Sequence, residues 1–218
     1  MLNFKKFAFM QHVVLATDEQ KKELAVPAAD GVTWIEKENE FFYHTAADLF
    51  VDLTYNNTPE RNALLAQLLP ATVVINAVSE TLPETNEAFV RINGWPTFLS
   101  APVLEAACHD NAQKANADEG FRMLKKQLAW LPDEPGLIGA RVVSMIINEA
   151  FLALEEGVST KEEINTAMKL GTAYPYGPFE WAEKIGLHNI VALLKKRSQT
   201  QPHYTPADLL VREAEAFS

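Results

Sequence analysis

The sequence predicts an α/β half followed by an all-helical half, and three observations predict it. The first ~130 residues carry short β-branched runs, several of them continuously apolar, as strands covered on both faces are. The segment Leu131-Pro132-Asp133-Glu134-Pro135-Gly136 places two prolines and a glycine within six residues, which marks a boundary. Beyond it, the apolar residues recur at helical spacing.

In the first half, candidate strands cover 12–16, 32–36, 49–53, 72–77 and 89–94. A helix is predicted over 58–67, with Thr58 as N-cap and Pro59 at the first position, where a missing N–H costs nothing. Alternation of this kind predicts a small parallel α/β domain. An amphipathic helix is predicted over 117–130, with Phe121, Leu124 and Leu128 on one face. The mostly apolar run 103–107 leads into Cys108, which reads as a buried, inert thiol.

In the second half, Val142, Met145, Ile146, Ala150 and Leu154 predict a helix over 137–156 that Gly157 ends. Thr160-x-x-Glu163 is a capping box for the next helix, which ends at Gly171. Gly177-Pro178-Phe179 starts a third helix, stopped by Gly186. A fourth is predicted over 189–196 and a fifth over 206–215.

Composition narrows the function classes. The 218 residues carry a net charge of -10, from 19 Lys+Arg against 29 Asp+Glu, and no basic face that could displace counterions from nucleic acid. The cluster Lys195, Lys196 and Arg197 reads as a helix C-terminus complementing its dipole. With Cys108 the sole cysteine there is no intrachain disulfide, which fits a reducing, cytoplasmic setting. His12, His44, His109, His188 and His203 are scattered without metal-ligand spacing, so no metal is expected. No run approaches the ~20 apolar residues of a membrane span. The start, MLNFKKFAFMQHVVLA, is broken by Gln11 and His12 and reads against a signal peptide.

Family-level motifs sit in the second half. They are Pro135-Gly136-Leu137-Ile138 with Arg141, Asn148-Glu149-Ala150, and Glu155-Glu156-Gly157-Val158. Ala167-Met168-Lys169-Leu170-Gly171 follows, then Tyr174-Pro175, Gly177-Pro178-Phe179-Glu180 and Ile185-Gly186-Leu187. Over roughly 80 residues this segment resembles the C-terminal helical domain of the 3-hydroxyacyl-CoA dehydrogenase family. The resemblance implies a reduced, Rossmann-like α/β domain over 1–131, then a helical domain over 132–218 that forms a homodimer interface and flanks the acyl-CoA site. Most of the matching residues report packing: Gly171 would end its helix in the left-handed region, Gly177 would let the backbone pass closely, and Phe179 and Trp181 would anchor the core. The cluster Tyr174, Tyr176, Phe179 and Trp181 could stack on an adenine, but core packing and a dimer interface are the favoured reading.

The parts that carry the family's chemistry are altered. Its phosphate loop is G-x-G-x-x-G, bare backbone against which pyrophosphate sits. Here the first strand runs into Thr17-Asp18-Glu19-Gln20-Lys21-Lys22, with no glycine and two carboxylates where phosphates would lie. The next strand follows too soon for a full crossover helix. The resemblance places Asp52 at the family's acidic strand end, Arg61 at its lysine and Asn56 at its second acidic residue. In place of the N-T-S-S motif stands Asn76-Ala77-Val78-Ser79, so the position of the substrate-facing serine falls to Val78 or to a shifted Ser79. Pro96 takes the position of the histidine base, and proline cannot accept a proton. Glu105 matches the glutamate that orients that histidine, and without an imidazole it reads as an exposed or capping carboxylate. Ala140 replaces the substrate-side asparagine, and the family's G-x-K-x-G-x-Y tail is not found before Ser218.

The reading that follows is a 3-hydroxyacyl-CoA dehydrogenase-like protein without NAD-dependent activity. It would bind no cofactor, retain Ser79 and Glu105 as vestiges, and act as a dimeric binding or partner protein for acyl-CoA or a related small molecule. The alternative is an active 3-hydroxyacyl-CoA or 3-hydroxy acid oxidoreductase with a rearranged site built on Ser79, Glu105 and His109. An unrelated enzyme using His44 and Tyr55-Asn56-Asn57 is a third reading; loop and turn formation account better for those residues.

Overall fold

The computed structural model describes residues 10–25 and 31–216. Part of the N-terminal segment read against a signal peptide, residues 1–9, lies outside them. Strands β1 (His12–Leu15), β2 (Val32–Ile35), β3 (Leu49–Asp52), β4 (Thr72–Asn76), β5 (Val90–Ile92), β6 (Val103–Ala107) and β7 (Gln127–Trp130) form one sheet in the order β2-β1-β3-β4-β5-β6-β7. Every pairing is parallel except β5 with β6, where Arg91 faces Ala107 and Ile92 faces Ala106.

The central strands β1, β3, β4 and β5 are short and apolar on both sides because each buries two faces. Val14, Val51, Val74 and Ile92 point into one core, which α3 (Asn111–Met123) closes with Ala117 and Phe121. Val13, Phe50, Val73 and Ile75 point into the other, which α2 (Pro59–Ala66) closes with Leu65. This is the two-residue period of a doubly covered sheet. Thr58 caps α2 from outside its first residue, Pro59, as the sequence predicts.

The helical half packs around α4 (Gly139–Glu155), against α6 (Pro178–Ile185), α7 (Leu187–Ser198) and α8 (Asp208–Ala216), with α5 (Lys161–Thr172) on α6. Its core also takes in Val78 and Trp95 from the sheet half, so the two halves share buried surface. Phe179 and Trp181 are buried there, with Phe151 against Phe179 at 5.0 Å and Tyr174 against Trp181 at 5.4 Å between ring centroids. That is the packing role the sequence favours for the aromatic cluster. Gly177 is needed for close approach: a Cβ there would lie 2.2 Å from Asn165 Oδ1, which accepts the Phe179 N–H. No helix among the described residues is long and apolar enough to cross a membrane.

Three expectations are corrected, and one strand was not expected. The helix predicted over 117–130 starts earlier and ends at Met123, and Gln127–Trp130 is instead the edge strand β7. Leu128 is on that strand, where Leu128 pairs with Leu104. The run 103–107 is a strand in its own right. The crossover after β1 is made after all: α1 (Asp18–Leu24) needs only seven residues because Thr17 caps it directly at the strand end. Finally, α5 continues through Gly171, and Ala173 at φ 56° takes the left-handed position.

Candidate functional site

In a doubly wound sheet, ligands sit beyond the carboxyl ends of the strands where the strand order reverses. Here β1 has β2 on one side and β3 on the other, so the reversal lies between β1 and β3. The residues at that crest bond to one another. Thr17 and Gln20 form a capping box, with the Gln20 Oε1 accepting the Thr17 N–H at 2.9 Å. The Gln20 Nε2 donates to the Leu53 carbonyl at 2.8 Å, which ties the first turn of α1 across the reversal point to the end of β3. The Asn76 Nδ2 donates to the same carbonyl at 3.1 Å. Asn76 also clasps Gly94 through both its main-chain groups, at 2.9 and 3.2 Å. A Cβ on Gly94 would come within 2.8 Å of Asn76 Cγ, so this clasp requires glycine. Asp18 and Glu19 occupy the first turn of α1.

Next along the crest, Asp52 at the end of β3 is fully buried. Burial pushes its carboxyl up to about 7, while hydrogen bonds from the Thr54 hydroxyl and backbone oppose the rise. Arg61 donates to it at 2.7 Å and also pairs with Glu38. Tyr55 bonds Asn57 and Asn62, closing a loop, and burial pushes its hydroxyl pKa up.

The remaining predicted residues are placed as follows. Pro96 is half-buried between Trp95, which enters the helical core, and Thr97. Glu105, on β6, is the N-terminal cap of α4. Its Oε1 accepts the Gly139 N–H at 2.8 Å, and its Oε2 accepts Gly139 N–H at 3.0 Å, Ile138 N–H at 3.3 Å and Asn93 Nδ2 at 3.3 Å. A carboxylate at a helix N-terminus also meets the positive end of the helix dipole. Of the two readings for Glu105, capping is therefore the one the structure supports. Ser79 is half-buried, and no hydrogen bond links it to Glu105 among the described residues. His109 lies 3.8 Å from Asp133. That carboxylate already binds Arg91 and the Leu82 N–H, and no hydrogen bond or ion pair joins Ser79, Glu105 and His109 to one another among the described residues. Burial pushes the Cys108 thiol up, as befits an inert cysteine. No group of three His, Cys, Asp or Glu that could hold a metal is present among the described residues.

Sequence reasoning missed Gln20, Asn93 and the Arg91–Asp133 pair. Arg91 is fully buried and donates to Asp133, to the Ala77 carbonyl at 3.0 Å and to the Glu134 carbonyl. Glu134 in turn accepts from Arg197 of α7 at 2.6 Å. The boundary segment is thus pinned to both halves. Thr17-x-x-Gln20 was legible as a capping box; the Arg91 network joins residues about forty positions apart and has no local signature.

Comparison with known proteins matches this architecture. Residues 136–217 match the family described as 3-hydroxyacyl-CoA dehydrogenase, C-terminal domain. The chain is 41% identical over 114 residues to a 3-hydroxyadipyl-CoA dehydrogenase of Escherichia coli (strain K12), covering 51% of this chain and 24% of that protein. It is 34% identical over 135 residues to a 3-hydroxybutyryl-CoA dehydrogenase of Bradyrhizobium diazoefficiens, covering 60% of this chain and 46% of that one. The chain therefore spans less than half the length of these curated relatives. Among solved structures, an (S)-3-hydroxybutyryl-CoA dehydrogenase from Ralstonia eutropha superposes with a TM-score of 0.69 at 23% identity, over 85% of this chain and 70% of that one. At that identity the likeness is one of fold.

Proposed function

Because the chain belongs to the 3-hydroxyacyl-CoA dehydrogenase family, we propose that it is a member without NAD-dependent dehydrogenation, acting as a dimeric binding or partner protein. The observation that carries this reading is the Gln20 bridge. Where pyrophosphate would need bare backbone, a side-chain amide spans from Thr17 to the Leu53 carbonyl, with Asp18 and Glu19 beside it. The residues present do not fit a dinucleotide in the family's usual manner.

The altered base supports the same reading. Pro96 can take no proton, and Glu105 is engaged by α4. Loss of a general base alone typically costs ~10²–10⁴ in rate, and loss of the hydride acceptor removes the reaction. The relatives are named for CoA thioesters, so an acyl-CoA or a related small molecule is the proposed ligand class. A reducing, cytoplasmic setting belongs to the reading too, supported by the single, buried Cys108.

The test is an NADH fluorescence titration, paired with NADH oxidation by acetoacetyl-CoA at high protein concentration against a protein-free blank. The expected result is no saturable binding and no oxidation above the blank. Turnover would establish instead an oxidoreductase with a rearranged site.

A further inference from the structure

Away from the crest, the helical half holds a cavity of about 550 Å³ between α5, α6, the start of α7 and α8. Its floor is apolar: Phe151 and Phe179 meet edge to face there, beside Ala182 and Leu187. Around it stand four glutamates, Glu162, Glu180, Glu183 and Glu213, against one lysine, Lys161. An apolar, aromatic floor with a few charged groups at its edge is the usual make-up of a small-molecule site, and the volume is in the usual range.

Lys161 shows which chemistry this surface favours. Its Nζ lies 5.4 Å from the centroids of both phenyl rings and donates to the two Glu213 oxygens at 2.7 and 2.8 Å. Ring quadrupole and carboxylate thus hold one ammonium together. Glu180 is also committed, to Lys169, which does not line the cavity, and to the Gly177 N–H. Glu162 and Glu183 are exposed and have no ion-pair partner among the described residues. Glu162 sits in the first turn of α5, where the helix dipole suits a carboxylate. Glu183 sits in the last turn of α6, where the dipole favours a cation. Neither capping nor the dipole accounts for Glu183, and a bound cation would relieve it.

We propose that this cavity binds an aliphatic polyamine. Its methylenes lie along the apolar floor beside Lys161. Its ammonium groups are held by Glu162 on the α5 side and by Glu183 on the α6 side. A single metal ion is a poorer match, because no three His, Cys, Asp or Glu converge on one point among the described residues. Carboxylates spread around an apolar floor suit a long cation whose charges are apart. The proposal is independent of the acyl-CoA and dimer readings above.

Isothermal titration of spermidine into the full chain tests it, with Mg²⁺ as the comparison cation. The expected result is saturable one-site binding tighter than about 1 mM that weakens as salt rises and resists Mg²⁺ at matched ionic strength. Glu162→Gln and Glu183→Gln should each weaken it about threefold, and the double variant about tenfold. Glu119→Gln, an exposed carboxylate on α3 in the sheet half, should bind as the wild type does. All three side chains are exposed, so circular dichroism should show each variant folded. Absence of saturable heat up to about 10 mM spermidine overturns the site. So does equal displacement by Mg²⁺, which would reduce the rim to a solvated acidic surface, or an unchanged affinity in the double variant.

Discussion

At the carboxyl ends of β1, β3, β4 and β5, polar side chains are turned on one another: Gln20 and Asn76 on the Leu53 carbonyl, Asn76 on Gly94, Arg61 on Asp52. In the helical half, Ile138 and Val142 face outward from α4, and Arg141 lies over the Tyr204 ring at 6.0 Å. The crest of the sheet, where a doubly wound domain ordinarily meets its ligand, satisfies its own hydrogen bonds. The helical half keeps apolar side chains exposed on α4. Polar groups at a buried crest serve the fold whatever their chemistry, because a carboxylate or amide still needs a hydrogen-bond partner once buried.

The largest effect should come from cutting the network between the halves. Arg91→Met leaves Asp133 without its guanidinium and should cost about 3–5 kcal/mol in a urea melt, because a buried charge is left uncompensated. Arg122→Met, which loses only an exposed pair with Glu119 on α3, should leave the midpoint where it is. If the two variants melt alike, the halves are not held together by Arg91.

Caps offer a smaller and finer contrast. Glu105→Ala should cost about 1–2 kcal/mol, and Glu105→Gln less, since an amide oxygen still accepts from Gly139 N–H. Thr160→Ala at α5 should cost about 1 kcal/mol as an ordinary cap within one half. An inert Glu105→Ala would return that carboxylate to the list of candidate chemical groups.

A pH titration sets two buried groups of the sheet half against each other. His12 is fully buried, and burial holds its imidazole below the ordinary value of 6.5. On this group the unfolded chain binds more protons than the folded one, so its contribution to stability falls as pH drops through about 6.5, whereas Asp52, held up to about 7 by burial, takes up its proton in the folded state and contributes in the opposite sense below 7. His12→Leu should remove the first contribution and shift the slope toward greater stability at the acid side. An unchanged slope would assign it to other groups.

The smallest effect expected is none. Pro96→His restores an imidazole to the position of the family's base, yet NADH oxidation should stay at the blank because Glu105 remains bound to α4 and Gln20 still bridges the crest. Activity in that variant would mean the crest opens more readily than its hydrogen bonds imply.

Much of the fold was legible because it is written locally. Thr58-Pro59, Thr160-x-x-Glu163, Gly157 and Gly186 mark helix ends within a turn of the residues they act on. Four of the first five strands, β1, β3, β4 and β5, show as apolar runs because each is buried on both faces. The exchange of helix for strand at 127–130 was not legible: Leu128 continues the helical spacing of Phe121 and Leu124, and only pairing with β6 makes this segment β7. The proline at position 96 and the glycine-free turn after β1 were also plain, since the departure of a residue from a motif needs no fold to be noticed.

What the sequence determined by itself, then, was the type of most elements, the family motifs of the helical half and the presence of Pro96 where the resemblance places a histidine. What only the tertiary structure decided was where the surviving polar groups went. Glu105 reaches Gly139 across 34 residues, Gln20 reaches Leu53 across 33 and Arg91 reaches Asp133 across 42. Periodicity and capping act within a turn or two of the chain, whereas a buried carboxylate or guanidinium takes whichever partner the packed sheet and helices bring within about 3 Å.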